Sequence, residues 1–139
     1  MQIEIDPLSD VPLYQQLRDR IVEGIASGTL VEGDVLASVR QLASQFGINP
    51  ATVAKGYDLL RGEGFVRTHR KAGSVVARGP HSAPWSEAAE AGWTARLNTL
   101  LAEAVAQGMP GDLVLTLTAT ALTRFRDAQH AAAQSKKES

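Results

Sequence analysis

The side chains in this sequence best suited to chemistry are cationic, and they are clustered. Arg40, Lys55, Arg61, Arg67, Arg70, Lys71 and Arg78 fall within residues 38–78, where only Asp58 and Glu63 oppose them. That stretch carries a net charge of +5; residues 1–37, with seven acids against Arg18 and Arg20, carry −5. Over all 139 residues the balance is only −1. A basic block beside an acidic one is the electrostatic footprint of a polyanion site, and it is also what a solvated charged face looks like. Catalytic arrangements are not visible. His69, His81 and His130 lie far apart and lack metal-ligand spacing, and there is no cysteine to act as nucleophile or zinc ligand. The carboxylates are scattered, and no glycine-rich loop is built to cradle phosphate. The expectation is a non-enzyme with no catalytic residues, no cofactor and no metal.

The elements that would position the basic residues can be read from periodicity. Leu13, Leu17, Ile21 and Ile25 recur every four residues, and Tyr14 widens their stripe. A first helix is expected over 11–27, with Asp10 as its cap, Pro12 in its first turn and Gly28 just past its end. Residues 1–8 alternate weakly at Ile3 and Ile5, as a short strand or an arm. Ser38 followed by Gln41 forms a capping box for a helix over 39–46 that stops at Gly47. Asn49-Pro50 starts a third helix over 50–63, ended by Gly64. Ala43 is small enough for the two backbones to approach, and Gly47 supplies the turn. This is a helix-turn-helix pattern, or an ordinary helical hairpin in a bundle. Residues 65–69 and 74–78 read as strands around Arg70-Lys71-Ala72-Gly73. That hairpin is either a DNA-contacting wing or a charged loop guarding a sheet edge.

Residues 79–84, Gly-Pro-His-Ser-Ala-Pro, form a linker by composition. Beyond it, Trp85, Trp93, Leu97 and Leu101, then Leu113, Leu117 and Phe125, keep helical spacing on either side of Gly108–Gly111. A two-helix hairpin over 85–134 cannot bury both apolar faces alone, so it folds back on the head or pairs with a second copy. Residues 135–139 are expected to be a disordered tail. No apolar run approaches the ~18 residues of a membrane span, and Met1 is not followed by a secretory pattern. A cytoplasmic protein without membrane contact is expected. The fold class is mainly α with a small β-wing (α+β): a winged helix-turn-helix over 1–78 and a dimerisation hairpin over 85–134.

Pro12-Leu13-Tyr14-Gln15-Gln16-Leu17, Gly28-Thr29-Leu30, Gly33-Asp34-Val35-Leu36, Ser38-Val39-Arg40-Gln41-Leu42-Ala43 and Asn49-Pro50-Ala51-Thr52-Val53 stand in order, followed by Tyr57, Glu63-Gly64-Phe65-Val66 and Gly73-Ser74-Val75-Val76. From about 11 to 77 the chain closely resembles the winged helix-turn-helix domain of GntR-type bacterial transcription regulators. The Asn-Pro and the two-helix tail are similar to the YtrA-like branch. The resemblance implies a homodimeric repressor that reads an inverted-repeat operator in double-stranded DNA, typically beside ABC-transporter genes and at its own promoter. It implies dimerisation through Trp85, Trp93, Leu97, Leu101, Leu113, Leu117 and Phe125.

Residue by residue, Arg40 matches the family's operator-contacting arginine. Ser38 caps the same helix, whose N–H groups suit a phosphate. Asn49, Ala51, Thr52 and Lys55 occupy the first turns of the recognition helix, where Lys55 reaches a guanine or a phosphate. Tyr57 contacts phosphate or lies in the core. Arg67, Arg70, Lys71 and Gly73 cover the wing. The sequence departs from the family pattern with Glu32 and Ala37 in place of prolines, Ala54 where relatives in other branches carry arginine, Gly56 in place of alanine, and Lys71 in place of the first wing glycine. An alternative keeps the regulator but adds an effector site for an unknown small apolar ligand near Trp85 and Trp93.

Overall fold

The computed structural model describes residues 3–138. The elements run α1 (Leu13–Ala26), α2 (Val39–Phe46), α3 (Pro50–Gly62), β1 (Val66–His69), β2 (Gly73–Val76), α4 (Glu87–Ala106) and α5 (Gly111–Glu138). Helices dominate, and among the described residues a single antiparallel hairpin makes the wing, as the sequence predicts.

The α1 stripe is buried at Leu17, Ile21 and Ile25. Pro12, not Asp10, occupies the cap position, and no side chain caps the helix there. A buried Gln16 does related work. Its Nε2 donates to the carbonyls of Asp6 (2.9 Å) and Val11 (2.7 Å), and its Oε1 accepts from the Asp6 N–H (2.7 Å). This pins residues 3–11 as an arm, not a strand, and seats Ile3 in the core. Met1 and Gln2 lie outside the described residues.

In α2 both halves of the capping box form: Ser38 Oγ accepts from the Gln41 N–H, and Gln41 Oε1 accepts from the Ser38 N–H. Gly47 then turns the chain at φ +64°, a left-handed conformation that favours glycine. Ala43 and Leu42 are buried where α2 meets α3.

Gly56 explains how closely α1 and α3 pack. A Cβ there would lie 3.0 Å from the Tyr14 carbonyl oxygen and 3.2 Å from Leu17 Cδ2. Alanine favours a helix by about 1 kcal/mol over glycine. Gly56→Ala should nevertheless lower stability, by a net amount on the order of 1 kcal/mol, because a backbone carbonyl must give way. A thermal melt checks this, and an increase in Tm would show that the helices have room to spare.

The wing is better supported than a bare hairpin. Residues 33–36, to which the sequence reading assigns no element, run along β2 as a third edge. The Gly33 N–H donates to Val76 O (2.8 Å), the Val76 N–H to Asp34 O (2.9 Å) and the Leu36 N–H to Ser74 O (2.9 Å). The linker is also tied. Ser82 Oγ accepts from the Gly79 N–H (2.7 Å) and donates to Glu32 (3.0 Å), which gives the Glu32 departure a role.

The two C-terminal helices differ from the expectation in three ways. Trp85 precedes α4 instead of lying in it, with Ser86 at the cap. Next, α4 and α5 make almost no contact with each other, and neither buries a residue. Finally, α5 continues through Glu138, so the expected disordered tail is helix over 135–138; Ser139 lies outside the described residues. Ala131-Ala132-Ala133-Gln134 favours the extra turns, and Lys136 and Lys137 suit the negative end of the helix dipole. One joint links this arm to the head. Gln129 Nε2 donates to the Ala26 carbonyl at the end of α1 (2.8 Å), and Ala132 lies against Gly28. No helix among the described residues is long and apolar enough to cross a membrane.

Candidate nucleic-acid interface

The expected contact residues come from three neighbouring parts of the head, with α3 packed against both α2 and β1. From α2, Arg40 is exposed and has no ion-pair partner among the described residues. The capping box uses the N–H groups of Ser38 and Gln41. It leaves those of Val39 and Arg40 at the positive end of the helix, where an anion is favoured. From α3, Asn49 Oδ1 accepts from the Ala51 N–H (2.8 Å), which starts the helix with Ala51 exposed and Thr52 half-buried. Lys55 is exposed, and its Nζ lies 3.9 Å from the centre of the Tyr14 ring.

From the wing, Arg67, Arg70, Lys71 and Gly73 are all exposed. His69, which the sequence reading sets aside as lacking metal-ligand spacing, organises their tip. Its Nδ1 accepts from the N–H groups of Lys71 (3.2 Å) and Ala72 (3.0 Å). No signal in the sequence marks this beyond a histidine closing a strand before a short loop. His69→Leu should speed hydrogen exchange at the Lys71 and Ala72 amides while leaving that of Val76 unchanged; equal exchange at the tip in both proteins would remove His69 from this role.

Tyr57 is not an interface residue. It is 1% exposed, and its hydroxyl donates to the Ala37 carbonyl at 2.5 Å. Burial pushes the phenol pKa well above its ordinary value of 10.0, and the nearby Arg61 charge opposes this to a lesser extent. The structure thus resolves the two sequence alternatives in favour of the core. Its position there anchors the residue just before the α2 cap.

The remaining charges sort cleanly. Arg18 is held by Glu63 and Asp19, and the pair with Glu63 raises the arginine's pKa. Arg61 is held by Asp58 (2.7 Å) and Ser74 Oγ (3.1 Å). Arg40, Arg67, Arg70, Lys71 and Arg78 have no such partner among the described residues, so their charge faces solvent undiminished. A binding surface for a polyanion needs this division.

The C-terminal residues are open by comparison. Trp85 and Trp93 are 62% and 49% exposed, which gives a small apolar effector no enclosure. Leu101, Leu113 and Leu117 are also exposed, and Leu97 is half-buried. Phe125 is half-buried and faces the head, lining a cleft with Ile3 and Leu30.

Comparison with known proteins agrees with this geometry. The family model described as "Bacterial regulatory proteins, gntR family" matches residues 13–76. The HTH-type transcriptional repressor YtrA of Bacillus subtilis (strain 168) is 40% identical over 75 residues, 54% of this chain and 58% of the relative. The match thus spans little more than half of that curated relative. The solved structure of YtrA from Sulfolobus acidocaldarius, a GntR-family transcription factor, is 38% identical with a TM-score of 0.57, covering 75% of this chain and 97% of the other. A transcriptional antiterminator from Listeria monocytogenes EGD-e is 27% identical with a TM-score of 0.77, covering 86% and 89%.

Proposed function

Because the chain belongs to the gntR family of DNA-binding transcriptional regulators, we propose that it acts as a homodimeric repressor reading an inverted-repeat operator. The observation that carries this reading is the set of cations with no carboxylate partner among the described residues, Arg40 on α2, Lys55 on α3 and Arg67, Arg70 and Lys71 on the wing, all on one small head. In this reading α3 enters the major groove of each half-site. Arg40 contacts a base edge, Thr52 and Lys55 contact base or phosphate, and Ser38, Asn49 and Ala51 shape the two helix starts. Arg67, Arg70, Lys71 and Gly73 carry the wing onto flanking backbone.

The second copy is supported by the arm. Two helices with no buried residue and a series of exposed leucines and tryptophans need a partner of matching chemistry, and two-fold symmetry suits a palindromic site. Trp85, Trp93, Leu97, Leu101, Leu113 and Leu117 are assigned to that contact, while Phe125 is assigned to the joint with the head. Residues 1–78 then form the reading domain, 79–84 the linker and 85–138 the dimerisation arm. Repression is taken from the role of the Bacillus subtilis relative, a transcriptional repressor. The resemblance adds targets beside transporter genes and the chain's own promoter, read in the cytoplasm.

The test is selection from a randomised duplex pool at two salt concentrations. An enriched palindrome is expected. With the enriched duplex, Arg40→Ala should cost about 1–3 kcal/mol of discrimination against the wrong base. Equal losses on operator and random DNA would reduce Arg40 to a phosphate contact, and no enriched motif would overturn the operator reading.

A further inference from the structure

We propose that Tyr14 is a positioning residue for DNA recognition. Its ring holds the Lys55 ammonium in place at the front of α3, and Gly56 lets α1 approach closely enough for the ring to reach it. The proposal rests on the reading of α3 as the element that enters DNA, and it adds a residue from outside the helix-turn-helix to that site.

The geometry is specific. Lys55 Nζ lies 3.9 Å from the Tyr14 ring centre, well inside the range of cation–π attraction. Tyr14 is half-buried at the start of α1, so its ring is set by the packing of that helix. The approach of α1 to α3 depends on the missing side chain at Gly56, next in sequence to Lys55, where a Cβ would meet the Tyr14 carbonyl oxygen at 3.0 Å. Lys55 has no carboxylate partner among the described residues.

That difference in partner matters for function. A carboxylate would hold the ammonium but cancel its charge. A ring quadrupole attracts the ammonium and leaves the full positive charge for DNA. A lysine on a four-carbon stem ordinarily loses rotamer freedom when it docks on a base or phosphate. Here that freedom is restricted before DNA arrives, so less affinity is lost on binding.

The experiment uses the full chain and the operator duplex from the selection above. Tyr14→Phe keeps the ring and should bind within twofold of the wild type. Tyr14→Leu keeps the apolar stripe but loses the ring's attraction, and should weaken operator binding about two- to fivefold. In a Lys55→Met background, Tyr14→Leu should add nothing. An equal loss in both backgrounds would make Tyr14 merely structural and overturn the proposal. A second readout needs no DNA. The Lys55 ε-methylene resonances should be shifted upfield by the ring in the wild type and Tyr14→Phe, and return to ordinary values in Tyr14→Leu. Unshifted resonances in the wild type would overturn the proposal on their own. A wild-type chain that binds no duplex overturns the underlying reading of α3, whereas operator binding indifferent to Tyr14→Leu overturns this proposal alone.

Discussion

Leu101→Asp combined with Leu117→Asp should convert the protein to a monomer and lower its operator affinity by about 10²–10⁴-fold. Both leucines sit on the open faces of the arm, 36% and 51% exposed in the single chain. Covering what remains exposed of each against a second copy stabilises the pair by about 0.5–1.5 kcal/mol per side chain, the unburied share of a full leucine burial. A carboxylate in the same place must instead be desolvated without a partner. The loss on DNA is large because the second head then binds from free solution and not at the millimolar effective concentration of a tethered partner. Sedimentation gives the mass, and titration of a duplex carrying one half-site gives the control. Half-site binding should be unchanged, because α4 and α5 contribute almost nothing to the head's core. A wild-type chain that sediments as a monomer would remove the dimer from the proposal.

Tyr57 carries the second large effect. Tyr57→Ala removes one of the largest fully buried side chains in the head and should cost about 3–5 kcal/mol. Against a typical total of about 5–15 kcal/mol, that leaves the head marginal. Tyr57→Phe separates the hydroxyl from the ring. It strands the Ala37 carbonyl, at a cost of about 1–3 kcal/mol, and loosens the chain just before the α2 cap and Arg40. Alkaline pH provides a further check. The phenol's pKa is raised in the folded state above its unfolded value of 10.0. Above that value the unfolded chain gives up a proton that the native protein keeps, so unfolding releases protons and stability falls as pH rises. Below pH 10 this contribution is complete. Urea unfolding at pH 8 and pH 11 should therefore show a smaller decline for Tyr57→Phe than for the wild type. The same decline in both would place the alkaline sensitivity elsewhere.

Much of the reading head was legible because its signals are local. Ser38 and Gln41 cap one helix, Asn49-Pro50 starts the next, and Gly47 turns between them. Each depends on residues a few positions apart. The elements missed depend on distant ones. Asp10 was a reasonable cap by type, but Gln16 satisfies the arm's polar groups from within α1. The third edge of the wing is made by residues about forty positions from β2, with no alternation to announce it. The candidate site divides in the same way. Arg40 and the wing cations are exposed where their family positions suggest, whereas Tyr57 went to the core and Tyr14 came to Lys55 only through the tertiary approach at Gly56. The splayed arm was the least legible part, since apolar spacing defines a face but not which surface covers it.

In the proposed dimer, the joint between the arm and the end of α1 at Gln129 governs how freely the two reading heads adjust their separation. The Gln129 hydrogen bond contributes about 1 kcal/mol net, about fivefold in favour of the seated orientation, and the small contacts of Ala132 and half-buried Phe125 with the head add to it. Each head therefore behaves as a lightly sprung caliper jaw. Operators whose half-sites are spaced one base pair away from the optimum should be penalised mildly and not rejected, and Gln129→Ala should flatten that preference further.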